Sequence, residues 1–294
     1  MESVKNYISE KRPKLSKSSI TTYSSILRNL YKKVYGDDEY NLEKFNQPKL
    51  TLEFLEDLPP NRRKTILSAL VIITDNKKYR DLMLKDVRDY NGDISKQEKT
   101  EAQEASWIEK DDLNKIFKEH KKNSELIYKK NKLTKSDLQD IQNYIILAVL
   151  SGVFIPPRRS KDFVDFKIKN IDKSKDNYMD KNAFIFNSYK TAKTYGKQKI
   201  DIPVQLRNII QKWSKLNPTE HLFFDSNMNK LSAVKLNQRL NKIFNGKKVG
   251  VNQLRHTYLT DKYSETIKQK KEIKEDMKDM GSSSKMLTTY VKED

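Results

Sequence analysis

The spacing of apolar residues is the feature that most limits how this chain can fold. Over most of its length they recur three or four residues apart, as in a helix that buries one face. The first such set follows Ser18 and Ser19, either of which can cap a helix, and precedes Gly36, which can end one. Its members are Ile20, Tyr23, Ile26, Leu27, Leu30, Tyr31 and Val34. Further helical stretches follow Pro48 and begin again at Asn61.

A polar stretch follows this helical part of the chain. Residues 1–90 are predicted to form one small helical domain, and residues 91–106 hold a single large aliphatic side chain and open with Asn-Gly, a turn-prone pair. The stretch 91–106 is therefore predicted to be an interdomain linker. Residues 107–294 then form a second domain, in line with the expectation of about two domains for a chain of this length.

The second domain changes its period in one place. Helical spacing is seen in DDLNKIFKEH (111–120) and in the apolar IQNYIILAVL (141–150), and SGVFIPP breaks it. The stretches AFIFNSYK (183–190) and KQKIDIPV (197–204) are short and rich in β-branched and aromatic residues, and TAKTYG between them carries a glycine. They predict a β-hairpin. Helical spacing resumes from Val204, so the fold class is α+β, mostly α, with a small sheet.

Charge is the strongest indication of the partner. Against 40 Asp and Glu the chain has 59 Lys and Arg, a formal net charge of +19. This excess favours a polyanion such as nucleic acid, with an anionic membrane surface or plain solubility as alternatives.

Cysteine, histidine and apolar content exclude other classes. The absence of Cys excludes disulfides and thiolate nucleophiles, and three scattered His make a metal site unexpected. No apolar run approaches the ~20 residues of a membrane span and the N-terminus lacks a secretory signal, so an intracellular protein is expected. Neither cofactor nor metal is expected.

Several segments of the second domain resemble, in order and spacing, the catalytic domain of tyrosine recombinases, the family of phage integrases and chromosome-dimer resolving recombinases. The first, SGVFIPPRRSKDFVDFKIKNI, has the family's helix break, arginine and acidic residue three positions later. That register selects Arg159 over Arg158 as a catalytic arginine, with Asp162 as its acidic partner. The second, FNSYKTAKTYG, resembles the hairpin that bears the catalytic lysine. The resemblance implies Lys190 for that role, with Lys193 as the alternative.

The C-terminal segments complete the resemblance with two departures. VNQLRHTYLTDKY is similar to the family's His-x-x-Arg helix, which implies Arg255 as the second catalytic arginine and puts Asn252 where the histidine usually lies. MGSSSKMLTTY is similar to the segment that ends on the nucleophile, which implies Tyr290, with Ser282 at a position usually held by His or Trp. His256 follows Arg255 on the same helix and so points elsewhere; it is expected to have a packing role.

The chemistry of DNA cleavage asks for these residue types in its own right. Attack on a phosphodiester builds charge on two non-bridging oxygens, which two guanidinium groups can stabilise with bidentate bonds. The alkoxide that leaves needs a proton, which a lysine ammonium can supply. A phenol forms a covalent intermediate that preserves the bond for religation. Neither metal nor ATP is then required.

The resemblance also implies an architecture and a setting. The N-terminal domain corresponds to a helical, SAM-like core-binding domain, and the two domains would form a C-shaped clamp on double-stranded DNA. Copies would self-associate on DNA as a synaptic tetramer. Because only four residues follow Tyr290, a monomer is expected in free solution unless the chain is truncated. Within the family, integrases of virophages and large DNA viruses are most similar, which implies viral genome integration in a host nucleus or viral factory.

Two alternatives stay open from the sequence. The departures at Asn252 and Ser282 favour a non-catalytic DNA-binding protein derived from a recombinase. A type IB topoisomerase shares the chemistry, although the short N-terminal domain is more typical of a recombinase.

Overall fold

The computed structural model describes residues 2–36 and 39–292. Most of these residues are helical, and one small sheet lies in the C-terminal part, which confirms the predicted α+β, mostly α fold class. The chain divides into two compact units, Met1–Lys99 and Thr100–Asp294.

The first unit is helical throughout its regular structure. Its helices are α1 (Glu2–Lys11), α2 (Lys17–Tyr35), α3 (Pro48–Glu56), α4 (Pro60–Thr74) and α5 (Lys77–Lys96), with a 3-10 turn at Leu42–Asn46. The core packs α2 and α4 through fully buried Leu27, Leu67 and Leu70. Helix α2 begins earlier than predicted, because the cap is Ser16, whose Oγ accepts from the Ser19 amide at 3.1 Å, and not Ser18 or Ser19.

The stretch predicted as a linker is largely helical. Helix α5 continues through Asn91–Lys96, and Thr100 caps a new helix, α6 (Glu101–Ser106), in a reciprocal pair with Gln103. In the sequence, the boundary between the two units falls between Lys99 and Thr100, within the range 91–106. The Asn-Gly pair lies inside α5 and does not form the predicted turn.

The second unit surrounds a larger core. Its helices are α7 (Lys110–Ile127), α8 (Lys135–Leu150), α9 (Ser160–Val164), α10 (Ala192–Tyr195), α11 (Val204–Leu216), α12 (Ala233–Ile243), α13 (Val251–Asp279) and α14 (Leu287–Tyr290), with a 3-10 turn at Ser284–Met286. Helix α8 is the centre of this unit, since Ile145 through Leu150 are all fully buried.

The sheet has four short strands in the order in which they occur in the sequence. They are β1 (Phe166–Lys167), β2 (Asn177–Asp180), β3 (Ala183–Phe186) and β4 (Gln198–Asp201). Strands β1 and β2 pair in parallel, and the other pairs are antiparallel. The pairing of Phe186 with Gln198 confirms the predicted hairpin between β3 and β4. Helix α10 lies within its loop.

Within residues 2–36 and 39–292, no helix is long and apolar enough to cross a membrane. In the same residues no group of three or more His, Asp or Glu is placed to hold a metal ion.

Candidate active site

A cleft of about 320 Å³ opens on the second unit where three parts of the sequence meet. One wall is the segment that leads into α9, the second is the β3–β4 hairpin, and the third is the first turns of α13. The cleft brings together the two predicted arginines, Arg159 and Arg255, although they lie far apart in sequence. Asp162, already paired, is the one carboxylate among the described lining residues, so the cleft offers little to a metal ion.

Arg158, which also lines this cleft, is held by the protein itself. Its Nε donates to Asp162 Oδ2 at 2.8 Å and its Nη1 donates to Gln198 Oε1 at 2.9 Å. The guanidinium lies over the rings of Phe186, at 4.0 Å from the centroid, and Tyr189, at 5.2 Å. Asp162 therefore pairs with Arg158 and not with Arg159, which corrects the pairing inferred from the register.

Arg159 and Arg255 are in a different situation. Both are half-buried, and in the described part of the chain neither guanidinium makes a hydrogen bond or an ion pair. Arg159 is the N-cap residue of α9 and has extended backbone angles, φ −69° and ψ 152°. Arg255 lies in the second turn of α13. Their donors remain available for an anion in the cleft.

Asp162 lines the same cleft as the arginines, and only 2% of its side chain is exposed. Burial raises the pKa of this carboxyl above its ordinary value, and the charges of Arg158, Arg159 and Arg255 oppose that rise. Its Oδ1 is buried and accepts no hydrogen bond from the described residues. A buried carboxylate here offsets part of the arginines' mutual repulsion, which favours their assembly in one place.

The predicted lysines lie on the hairpin loop beside the cleft. Lys190 is exposed, and the residues on either side of it, Tyr189 and Thr191, line the cleft. Tyr189 is fixed by a hydrogen bond from its hydroxyl to the Gly196 carbonyl at 2.7 Å. Lys193 is also exposed, in α10. The flanking residues favour Lys190 as the lysine at the edge of the cleft, but neither side chain is part of its lining.

Asn252 lies one helical turn before Arg255 on α13 and is exposed. Residues three apart on a helix share a face, so the amide is near the second arginine. It is not among the lining residues of the cleft.

Ser282 and Tyr290 are not brought to the arginines. Helix α13 is continuous from Val251 to Asp279, and it rises about 33 Å over the roughly 22 residues between Arg255 and Met277. The Ser282 amide donates to the Met277 carbonyl at 2.7 Å, which fixes Ser282 at the far end of the helix. Tyr290 ends α14 with 57% of its surface exposed and does not line the cleft.

The sequence alone did not assign roles to Arg158, Gln198 or Tyr195, which also line the cleft. Arg158 precedes α9, so its four-residue separation from Asp162 is not the spacing of a pair along one helix and gave no reliable signal. Gln198 gave none, because its contact with Arg158 depends on the pairing of β3 with β4. Tyr195 is 67% exposed at the cleft, in the hairpin loop.

Comparison with known proteins gives similar solved structures only. No protein-family model and no curated protein matches the chain. A crystal structure of XerA recombinase is similar at 12% identity and a TM-score of 0.37, over 87% of this chain and 83% of that one. A lambda integrase (75-356) dimer bound to a COC′ core site is similar at 10% identity and a TM-score of 0.44, over 85% of this chain and 82% of that one. XerH site-specific recombinase bound to difH substrate, a pre-cleavage complex, is similar at 14% identity and a TM-score of 0.41, over 89% of this chain and 84% of that one.

Proposed function

We propose that this chain is a tyrosine site-specific recombinase that cuts and rejoins double-stranded DNA through a 3′-phosphotyrosyl bond to Tyr290. One observation carries the proposal: Arg159 and Arg255, without protein partners among the described residues, line one cleft beside a hairpin that bears Lys190. A pair of unpaired guanidinium groups in a concave site fits a phosphodiester better than it fits a neutral ligand.

Each residue then has a defined part in the cleavage step. Arg159 and Arg255 bind the two non-bridging oxygens and stabilise the charge that builds there. The Tyr290 oxygen attacks phosphorus, and the bond to the 5′ oxygen breaks. Lys190, or Lys193 in its place, gives the leaving oxygen a proton. Asn252, one turn before Arg255 on α13, can add a hydrogen bond to a phosphate oxygen. Neither Asn252 nor Ser282 can act as a general base.

The finer parts of the proposal concern assembly and setting. The net charge of +19 supports duplex DNA as the partner. Self-association on DNA as a synaptic tetramer, an origin in a virophage or large DNA virus, and action in a host nucleus or viral factory follow from the resemblance in sequence. So do the assignments of residues 1–90 as a core-binding domain and 107–294 as the catalytic domain.

Trapping the covalent intermediate tests the activity. On a duplex with a nick just beyond the cleavage point, the short leaving strand diffuses away and the protein stays attached to DNA. The expected result is an adduct with the parent chain and none with Tyr290→Phe, which removes the attacking oxygen and should bind DNA equally well. An adduct that persists in Tyr290→Phe would assign the nucleophile to another residue.

A second candidate function is non-catalytic DNA binding, and one observation favours it. Ser282 and Tyr290 lie at the far end of α13 from the arginines of the same chain. If the parent chain binds duplex DNA but forms no adduct on nicked substrates that cover its binding site, this second function replaces the first.

A further inference from the structure

We propose that the arginine cleft of one copy receives Tyr290 from a second copy of the chain on the same DNA, so that the nucleophile acts in trans. This inference deepens the proposed recombinase function and rests on it. It gives the second copy a chemical task, because the cleft of a single chain lacks its nucleophile.

The length of α13 separates Tyr290 from the arginines of its own chain. Ser282 is held at the Met277 carbonyl, about 33 Å along the helix axis from Arg255. From there to Tyr290 the chain forms a 3-10 turn and then one turn of α-helix. At 1.5–2.0 Å per residue, this segment spans only about 15 Å. Tyr290 therefore stays well outside the reach of a phosphate that its own Arg159 and Arg255 hold.

The C-terminal part of α13 has the features of a projecting arm. From Asp261 to Asp279 it has neither Gly nor Pro, so nothing in its sequence favours a break that would fold Tyr290 back. Of this range, which we call the arm, Met277 is buried and Ile267 and Ile273 are half-buried, whereas the other side chains are exposed. Apart from the ion pair of its first residue, Asp261, with Lys110 of α7, the arm thus has little contact with the unit that carries it.

The arm also differs from the rest of the chain in its charge. In a chain with a net charge of +19, the arm balances six lysines against six acidic residues. A surface that tracks the phosphate backbone carries an excess of Lys and Arg. A neutral arm is suited instead to lie against protein, here the second copy.

Apolar surface is exposed in the segment that follows the arm. The side chains of Met280 (63%), Met286 (44%), Tyr290 (57%) and Val291 (58%) are exposed there, within a short segment. At the cleft, exposed Pro156 and Tyr195 offer an apolar edge. Burial of the one against the other would place the phenol beside the arginines and remove apolar surface from water.

The step in trans balances as a transesterification. The Tyr290 oxygen of the donor copy forms a bond to phosphorus held by Arg159 and Arg255 of the acceptor copy, and the phenolic proton passes to solvent. The bond from phosphorus to the 5′ oxygen breaks, and Lys190 of the acceptor protonates that oxygen. The covalent product is therefore carried by the copy that gave the tyrosine.

A mixing experiment tests the proposal. Tyr290→Phe keeps the cleft but has no nucleophile, and Arg255→Ala keeps the tyrosine but has a defective cleft. Each alone should lose about 100-fold or more of adduct formation on nicked duplexes long enough for two copies. Mixed in equal amounts, they should exceed the sum of the separate yields by more than about tenfold. With the Arg255→Ala chain enlarged by a tag, the adduct should have the size of that chain.

Each other result has a definite meaning. If the parent forms the adduct but the mixture does not, the tyrosine acts in cis and the inference is wrong. An adduct on the untagged Tyr290→Phe chain would also overturn it. If the parent forms no adduct, the proposed function fails and this inference fails with it. Arg159→Ala replaces Arg255→Ala if the latter does not fold, as judged by tryptophan fluorescence.

Discussion

Two adjacent arginines in the cleft differ in what their side chains contact. Arg158 is bound by Asp162, Gln198 and the Phe186 ring, whereas Arg159 has no hydrogen-bonded or ion-paired partner in the described part of the chain. A guanidinium whose donors are used inside the protein stabilises the fold, and one whose donors are free can bind phosphate. Substitutions of the two residues should therefore show their effects in different assays, one of cleavage and one of stability.

We expect Arg159→Ala to lower the rate of adduct formation and Arg158→Met to lower stability. Loss of a phosphate-binding guanidinium should cost about 3 kcal/mol of transition-state stabilisation, with unfolding changed by less than about 0.5 kcal/mol. Arg158→Met leaves the buried Asp162 without its ion pair, which should cost about 3 kcal/mol or more of unfolding free energy.

Single-turnover cleavage and urea unfolding measure the two effects. Both tryptophans, Trp107 and Trp213, lie in the second unit, so their fluorescence reports the unfolding of that unit. Parent-like cleavage by Arg159→Ala would remove Arg159 from the site, and parent-like stability of Arg158→Met would refute its structural role.

The absence of an imidazole at the two departing positions predicts a simple pH profile. Neither Asn252 nor Ser282 changes charge between pH ~5.5 and ~8, the range in which a histidine would titrate. We therefore expect the rate of adduct formation to show no histidine-like inflection there. The measurement uses a His256→Gln background, since His256 is the imidazole next to Arg255 in sequence. An inflection that persists in that background, or an Asn252→His variant no faster than its parent, would contradict this account.

At the scale of elements, the start of α8 offers a pH-dependent test of the fold that carries the cleft. Asp137 accepts from Lys130 Nζ at 2.6 Å and, through its other oxygen, from the Thr134 amide at 2.9 Å. These bonds, the one from Lys130 first, lower the pKa of Asp137 to about 2. A carboxyl whose pKa is lowered by folding stabilises the folded state at pH values above its ordinary pKa. This contribution disappears as the pH falls through the pKa of the folded state.

We expect Asp137→Asn to destabilise the second unit at pH 6. The difference in unfolding free energy from the parent should shrink as the pH falls from about 4 to 2. Urea unfolding followed by tryptophan fluorescence at several pH values gives the difference from the parent. Glu119→Gln, at an exposed position on α7, is the control and should show little difference throughout. A difference for Asp137→Asn that stays constant down to the lowest pH would refute the role of its charge.

The elements that the sequence predicted are those whose signals are local. The β3–β4 hairpin was predictable because β-branched and aromatic residues and a glycine lie within a short stretch, and α8 because its apolar residues 141–150 lie together in the sequence. The parallel pairing of β1 with β2 was not, because it depends on contacts between segments. The convergence of Arg159 and Arg255 came from the resemblance, since neither residue has a distinctive local pattern.

The position of Tyr290 relative to Arg255 could not be predicted from local sequence. The spacing before Tyr290 suggests a nucleophile close to Arg255, but Arg255 lies near the start of a 29-residue helix and Tyr290 lies beyond its end. Whether a polar helix continues or breaks is set by contacts and by small differences in propensity along it. For the residues past Tyr258, mostly exposed, such contacts are few.

At the scale of the whole molecule, the uneven distribution of charge predicts which surfaces contact DNA. The chain has a net charge of +19, yet its arm is neutral. Affinity for duplex DNA should fall steeply with salt, since each phosphate neutralised releases counterions and adds about 0.9 to the slope of log K against log salt.

Two lysine variants, measured by salt titration of binding to random duplex DNA, locate that contact. Lys190→Ala, in the hairpin loop beside the cleft, should reduce the slope by about 1, as expected for one lost phosphate contact. Lys270→Ala, on the arm, should leave it unchanged although it removes the same charge, because the arm is expected to lie against protein. The two side chains are both exposed, so neither change should disturb the fold. A flat titration for the parent would argue against DNA as the partner. A parent-like slope for Lys190→Ala would show that Lys190 makes no phosphate contact, and a reduced slope for Lys270→Ala would show that the arm contacts DNA.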